Sequence, residues 1–209
     1  MSYSVASWNT PLIEKQRIID LCKVPEKRIW SIYLSGSQVY GTNTLNSDFD
    51  FLVVASSLHK HKEFYDGTYN IHVKTPDTFN DELWAHQMLA MECIYAPYFA
   101  KIEGEKLLNN FKLDYVKLKR KSLSESYSSW FRAKRMLRDG DVERGMKSIW
   151  HSIRILMFAL QIMDEGNIYD FSEANGYWEQ MVESDGTDWT FFKDMLLPLK
   201  RDLENMLRA

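Results

Sequence analysis

The chain has 209 residues, 45% hydrophobic and 14% aromatic, enough apolar material to bury a substantial core in one large domain or two small ones. Its formal charge of -3 argues against a generic polyanion binder. Cys22 and Cys93 lie far apart with no second Cys or His at metal-ligand spacing, which speaks against a disulfide framework or a zinc site. A cytoplasmic protein with no membrane association is expected, because no apolar run approaches bilayer length and "MSYSVASWNT" lacks the blocks of a signal peptide.

In chain order, Asn9-Thr10-Pro11 predicts a helix start, and Leu12, Ile13, Ile18, Ile19 and Leu21 supply its apolar face to about Cys22. Three strands follow, "RIWSIYLS" (28–35), "FDFLVVAS" (49–56) and "TYNIHVKT" (68–75), each rich in β-branched or aromatic residues. Thr75-Pro76 repeats the cap-plus-proline signal and opens one helix over "PDTFNDELWAHQMLAMECIYA", with Phe79, Leu83, Met88 and Met91 or Cys93 inward. Beyond about residue 110 strand signals stop. Two long helices meet at Asp139-Gly140-Asp141, and "DWTFFKDMLLPLKRDLENMLR" reads as a last helical segment interrupted at Pro198. The expected organisation is an α/β core over 1–110 and a helical domain over 111–209 packed on it as one unit.

The chemistry concentrates in "IYLSGSQVYGTNTLNSDFDFLVV", residues 32–54. In a strand, residues i and i+2 project from one face at roughly 6 to 7 Å, so Asp48 and Asp50 would present two carboxylates while Phe49 and Phe51 point into the core. Magnesium favours such oxygen ligands, with water and substrate phosphates completing its octahedron. Upstream, Gly36-Ser37 follow a strand and lead into a short helix, where a backbone without a Cβ lets phosphates approach free N–H groups. A phosphate cradle beside a metal pair is the equipment for holding a nucleoside triphosphate for in-line attack. A short Asp-x-Asp between apolar runs also occurs in sugar-nucleotide glycosyltransferases, which lack the Gly-Ser ten residues upstream.

Gly36-Ser37, ten intervening residues, then Asp48-x-Asp50 followed by Leu52, Val53 and Val54 resembles the signature of the DNA-polymerase-β-type nucleotidyltransferase superfamily. The fuller form "SGSxxYGTxxxxSDxD" is similar to predicted bacterial and phage nucleotidyltransferases related to an RNA-repair-associated branch with a helical second half. "ECIYAP" (92–97) and "KSIWHSIRIL" (147–156) extend the likeness. The resemblance implies an α+β fold with a small mixed sheet flanked by helices and a C-terminal helical domain. It also implies two magnesium ions and transfer of a nucleoside monophosphate from a triphosphate, with release of pyrophosphate. The acceptor hydroxyl would belong to an RNA end, a protein or a small molecule. By the same resemblance Gly36 and Ser37 bind the triphosphate, Asp48 and Asp50 hold the metals, and the third carboxylate position of the family falls on Asn70. Asn ligates weakly and is not a competent base. The alternative function is therefore a catalytically weakened nucleotide-binding or antitoxin-like regulatory module.

In the helical half, Lys147, His151 and Arg154 fall at i, i+4 and i+7, opposite a stripe of Ile149, Ile153, Leu156 and Leu160. Spacing alone gives a core helix with a solvated basic back; the resemblance makes Lys147 and Arg154 candidates for neutralising triphosphate charge. From Lys112 to Arg138 nine Lys or Arg face only Asp114 and Glu125, a solvated helix face or a phosphate-facing wall. Tyr40, beside the Gly36-Ser37 cradle, is a candidate for contact with a nucleobase. His59, His61, His72 and His86 are read as surface or structural residues, and the seven Trp as packing.

Overall fold

The computed structural model describes residues 14–56, 62–104 and 110–209. The expected helix start at Asn9-Thr10-Pro11, and His59 and His61, lie outside them. The first described helix, α1 (Lys15–Cys22), leads to β1 (Ile29–Ser35), the one-turn helix α2 (Ser37–Tyr40) and β2 (Phe49–Ala55). A hairpin of β3 (Lys62–Tyr65) and β4 (Tyr69–Lys74) follows, then α3 (Pro76–Trp84), α4 (Met88–Tyr95) and β5 (Lys101–Glu103). The rest is helical: α5 (Tyr115–Arg138), α6 (Val142–Glu165), α7 (Asn175–Glu183) and α8 (Trp189–Arg208).

The five strands form one mixed sheet in the order β3-β4-β2-β1-β5. Strand β2 is antiparallel to β1 and parallel to β4. Its central place explains its composition: Phe51, Leu52, Val53, Val54 and Ala55 are all buried, as in a strand covered on both faces. Asp50 alone interrupts that run. The fold is thus the α+β arrangement of a small mixed sheet with flanking and C-terminal helices.

Two elements differ from their sequence reading. The helix expected to run on from Pro76 breaks after Trp84, where His86 adopts φ +57°. Buried His86 secures that break: its Nδ1–H donates to the Trp84 carbonyl at 3.1 Å, and its Nε2 accepts from the Asp114 backbone N–H at 2.9 Å. The new helix start is satisfied from α5, because Met88 N–H donates to the Glu125 carboxylate at 3.0 Å. Conversely, Pro198 does not interrupt α8, which is continuous from Trp189 to Arg208. Pro198 faces solvent, while Phe192, Leu196, Leu203 and Leu207 hold the inner face on both sides of it. Packing there outweighs the lost hydrogen bond. The strands β3 and β5, four and three residues long, and helix α7 carry too weak a periodic signal to be predicted.

The helical half is built on α6, whose buried residues run almost continuously from Gly145 to Ile162. It packs against α5, α7 and α8. Asn175, the first residue of α7, reaches back to the core by donating its side-chain amide to the Tyr40 carbonyl at 2.7 Å.

Candidate active site

The site starts from a close fit between a glycine and a carboxylate. Gly36 ends β1 with φ +71°, a backbone region that L side chains rarely adopt. A Cβ there would stand 2.2 Å from Asp50 Oδ2. The Asp50 carboxylate therefore lies directly over the Gly36 backbone, and only glycine leaves room for it. Ser37 begins the one-turn helix α2, which Gly41 closes in the left-handed conformation.

Asp50 sits at the middle of three strands. Its register partners are Ser35 on β1 and Asn70 on β4. Ser35 Oγ donates to the Asp50 carbonyl at 3.2 Å, and the Asn70 amide nitrogen donates to Asp50 Oδ1 at 2.8 Å. Burial pushes the Asp50 carboxyl above the ordinary Asp range; the Asn70 hydrogen bond opposes that shift and the charge of Asp48 adds to it. Asp48 lies one residue before the start of β2, on the loop that enters the strand, rather than within it. Phe49 and Phe51 point into the core as expected.

Ser37, Asp48, Asp50, Lys147 and Arg154 line one open cleft of about 940 Å³, whose walls also include Thr42, Thr44, His72, Arg132 and His151. The cleft lies between α2, the loop that follows it and the β2–β4 part of the sheet on one side, and Arg132 of α5 with the Lys147–Arg154 stretch of α6 on the other. Lys147 is exposed on its wall and pairs with Glu143 at 2.6 Å; its charge favours ionised Asp50.

Arg154 departs from the solvated back expected of α6. It is 3% exposed, because this face of the helix abuts α2 and α4 rather than water. Its guanidinium lies 3.5 Å from the centroid of the Tyr40 ring and 4.8 Å from that of Trp150. Nη2 reaches His151 Nδ1 at 2.7 Å and the buried Glu92 carboxylate at 3.5 Å. Its Nε–H, also buried, has no hydrogen-bond partner among the described residues. Burial, reinforced by the charges of Arg154 and Arg132, holds His151 well below the ordinary imidazole range, so a neutral ring accepts from the guanidinium. Glu92 is raised by burial and drawn back by Arg154.

Tyr40 also takes a different part from the one expected. Its hydroxyl donates to Glu92 and its ring face is covered by Arg154, so the ring is packing rather than a platform for a base. The sequence reading gave Glu92 no role. The signal was present: one carboxylate inside the otherwise apolar "MLAMECIY" requires a buried partner.

Among the described residues no group of three or more His, Cys, Asp or Glu stands together as a metal cluster, and no helix is long and apolar enough to cross a membrane. Cys22 and Cys93 are free and buried.

No curated protein sequence matches the chain. Among solved structures it is similar to a nucleotidyltransferase-like protein from Exiguobacterium sibiricum 255-15, at 14% identity and a TM-score of 0.34 over 92% of this chain and 73% of that one. It is also similar to spectinomycin adenyltransferase AAD(9) from Enterococcus faecialis, at 15% identity and a TM-score of 0.49 over 94% of this chain and 100% of that one. The family model described as nucleotidyltransferase domain matches residues 16–125, more than half of the chain, and the protein belongs to that family, within the polymerase-β-type superfamily.

Proposed function

We propose that the protein transfers a nucleoside monophosphate from a nucleoside triphosphate to an acceptor hydroxyl, with Asp48 and Asp50 as the catalytic carboxylates and magnesium as the cofactor. One observation carries the reading: the Asp50 carboxylate is seated over Gly36, near the charge of Asp48, in a cleft that Arg132, Lys147 and Arg154 also line. A desolvated carboxylate next to a second one is costly without a cation, and this donor set suits a hard divalent ion. Asp48 and Asp50 would hold magnesium, and Asn70 would orient Asp50 through its amide nitrogen and offer its oxygen as a neutral ligand. When bound, the ion supplies charge neutralisation at the phosphates and acidifies the acceptor hydroxyl.

The remaining residues have separate tasks. Gly36 and Ser37 bind the phosphate chain through backbone N–H groups and a hydroxyl. Lys147, exposed on the cleft wall, would exchange Glu143 for a phosphate oxygen, while Arg154 supplies fixed positive charge from the cleft floor. In the reaction the acceptor oxygen bonds to the α-phosphorus and the bond to the bridging oxygen breaks. Pyrophosphate leaves with that electron pair, and the hydroxyl proton is released to solvent.

Asn70 favours a second, weaker form of the same activity. A neutral side chain at the register position opposite Asp50 removes a charge that would help deprotonate the acceptor, which suits slow transfer or nucleotide binding in a regulatory module. Magnesium with a triphosphate should raise the melting temperature of the wild type, and Asp48→Asn with Asp50→Asn should abolish that rise. The ligand-free double variant should melt higher than wild type, because two neighbouring like charges are removed. Equal nucleotide-induced shifts in both proteins would refute the assignment.

A further inference from the structure

Helix α5 carries an outward face that the chemistry of the cleft does not use. Arg120, Tyr127, Phe131, Arg135 and Arg138 recur at intervals of seven, four, four and three residues, which places them on one stripe of a 3.6-residue helix. All five are exposed. Tyr127 and Phe131 are 58% and 49% exposed, and their rings pack on each other at 4.4 Å, so two aromatic faces stand in water between arginines. Exposed aromatic pairs flanked by cations are the combination that holds single strands, bases stacking on rings while phosphates meet arginine.

The charge on this stripe is largely uncommitted. Arg138 pairs with Asp139 at 3.2 Å; among the described residues Arg120, Arg132, Lys134 and Arg135 form no ion pair. Beside the stripe runs an open groove of about 640 Å³, lined by Phe131, Lys134, Arg135 and Trp189 at the start of α8. On the other side Arg132 borders both the Tyr127–Phe131 surface and the Asp48–Asp50 cleft. The basic-aromatic surface is thus continuous with the candidate active site.

We propose that the α5 stripe is a docking track for a single-stranded nucleic acid, which leads a terminal hydroxyl past Arg132 into the cleft as the acceptor. The acceptor role rests on the nucleotidyl-transfer reading above; strand binding by α5 does not. Charge complementarity selects this occupant, since a polyanion with π faces satisfies the arginines and the rings together. An acidic protein would satisfy only the arginines.

The test is fluorescence anisotropy with labelled single-stranded RNA and DNA of one mixed sequence, over a salt series, on the full chain. Wild type should bind at least one of them with affinity that falls steeply with salt. Arg120→Ala with Arg135→Ala should flatten the log–log salt slope by roughly 0.7 for each phosphate that the variant no longer neutralises. Tyr127→Ala with Phe131→Ala should weaken binding by roughly five- to hundredfold for each stacked base, with little change in salt slope. A preference for either sugar supports the track and identifies the acceptor's chemistry. Equal affinity in wild type and both variants overturns it. So does weaker binding in the arginine variant alone, accompanied by competition from polyglutamate, which would mark a site for an acidic protein. The magnesium-triphosphate melting shift, measured on the same proteins, should be equal in all three. Its absence from wild type would refute the transfer reading and leave strand binding to decide the track.

Discussion

Gly36 and Asp50 constrain each other: the carboxylate occupies the place where any side chain at position 36 would begin. That close approach makes one unit of a turn glycine and a strand aspartate fourteen positions apart. Asn70 completes it from the neighbouring strand with its 2.8 Å hydrogen bond to Asp50. Asn70→Asp exchanges that donor for a third negative charge, so the ligand-free protein should melt lower and depend more steeply on magnesium. If the change also supplies the missing anionic ligand, transfer should accelerate by up to about 10² to 10⁴, the usual range for general-base assistance. Differential scanning fluorimetry over a magnesium series and single-turnover transfer measure the two effects; if neither moves, Asn70 is not the third position.

At the scale of elements, α6 ties the helical half to the core through a buried ionic cluster. Arg154, Glu92, Tyr40 and His151 come from three helices, and their mutual interactions satisfy groups that none could bury alone. Removing the cation strands the carboxylate, so Arg154→Leu should destabilise the fold by about 3 to 5 kcal/mol at neutral pH. The sign of its pH dependence follows from Glu92, whose carboxyl is already raised by burial with Arg154 beside it. Without the cation its folded value rises further, so ionised Glu92 costs the fold most at neutral pH, and protonation relieves that cost as pH falls. Urea unfolding of wild type and variant should therefore give a gap that narrows in mildly acid buffer; a constant gap would mean that Glu92 is not the group left behind. The sequence carried half of this cluster. The spacing of Lys147, His151 and Arg154 put them on one helix face, but period alone cannot say whether a polar face meets water or another element. A lone Glu92 among apolar residues was the clue that the face was covered.

Over the whole molecule, the features legible in the sequence were those with strong local grammar. The apolar runs of β1 and β2, the Gly36-Ser37 to Asp48-x-Asp50 spacing, the Thr75-Pro76 start of α3 and the Asp139-Gly140-Asp141 junction of α5 with α6 all correspond to elements within a residue or two. The sheet edges β3 and β5 escaped because four and three residues show no period. The break at His86 escaped because it depends on a hydrogen bond from Asp114, 28 residues further along. The cleft itself is a tertiary product: its carboxylates come from the β2 entry and its cations from α5 and α6. Nucleotidyl transfer in that cleft is the central claim, and the most direct measurement uses the four nucleoside triphosphates, each radiolabelled at the α-phosphate, with magnesium and single-stranded RNA, protein and small hydroxyl compounds as acceptors. Wild type should move label from at least one triphosphate onto an acceptor, with an equal amount of pyrophosphate released, and Asp48→Asn with Asp50→Asn should do neither. Label that stays on the triphosphate with every acceptor, or that moves equally in the double variant, would contradict it.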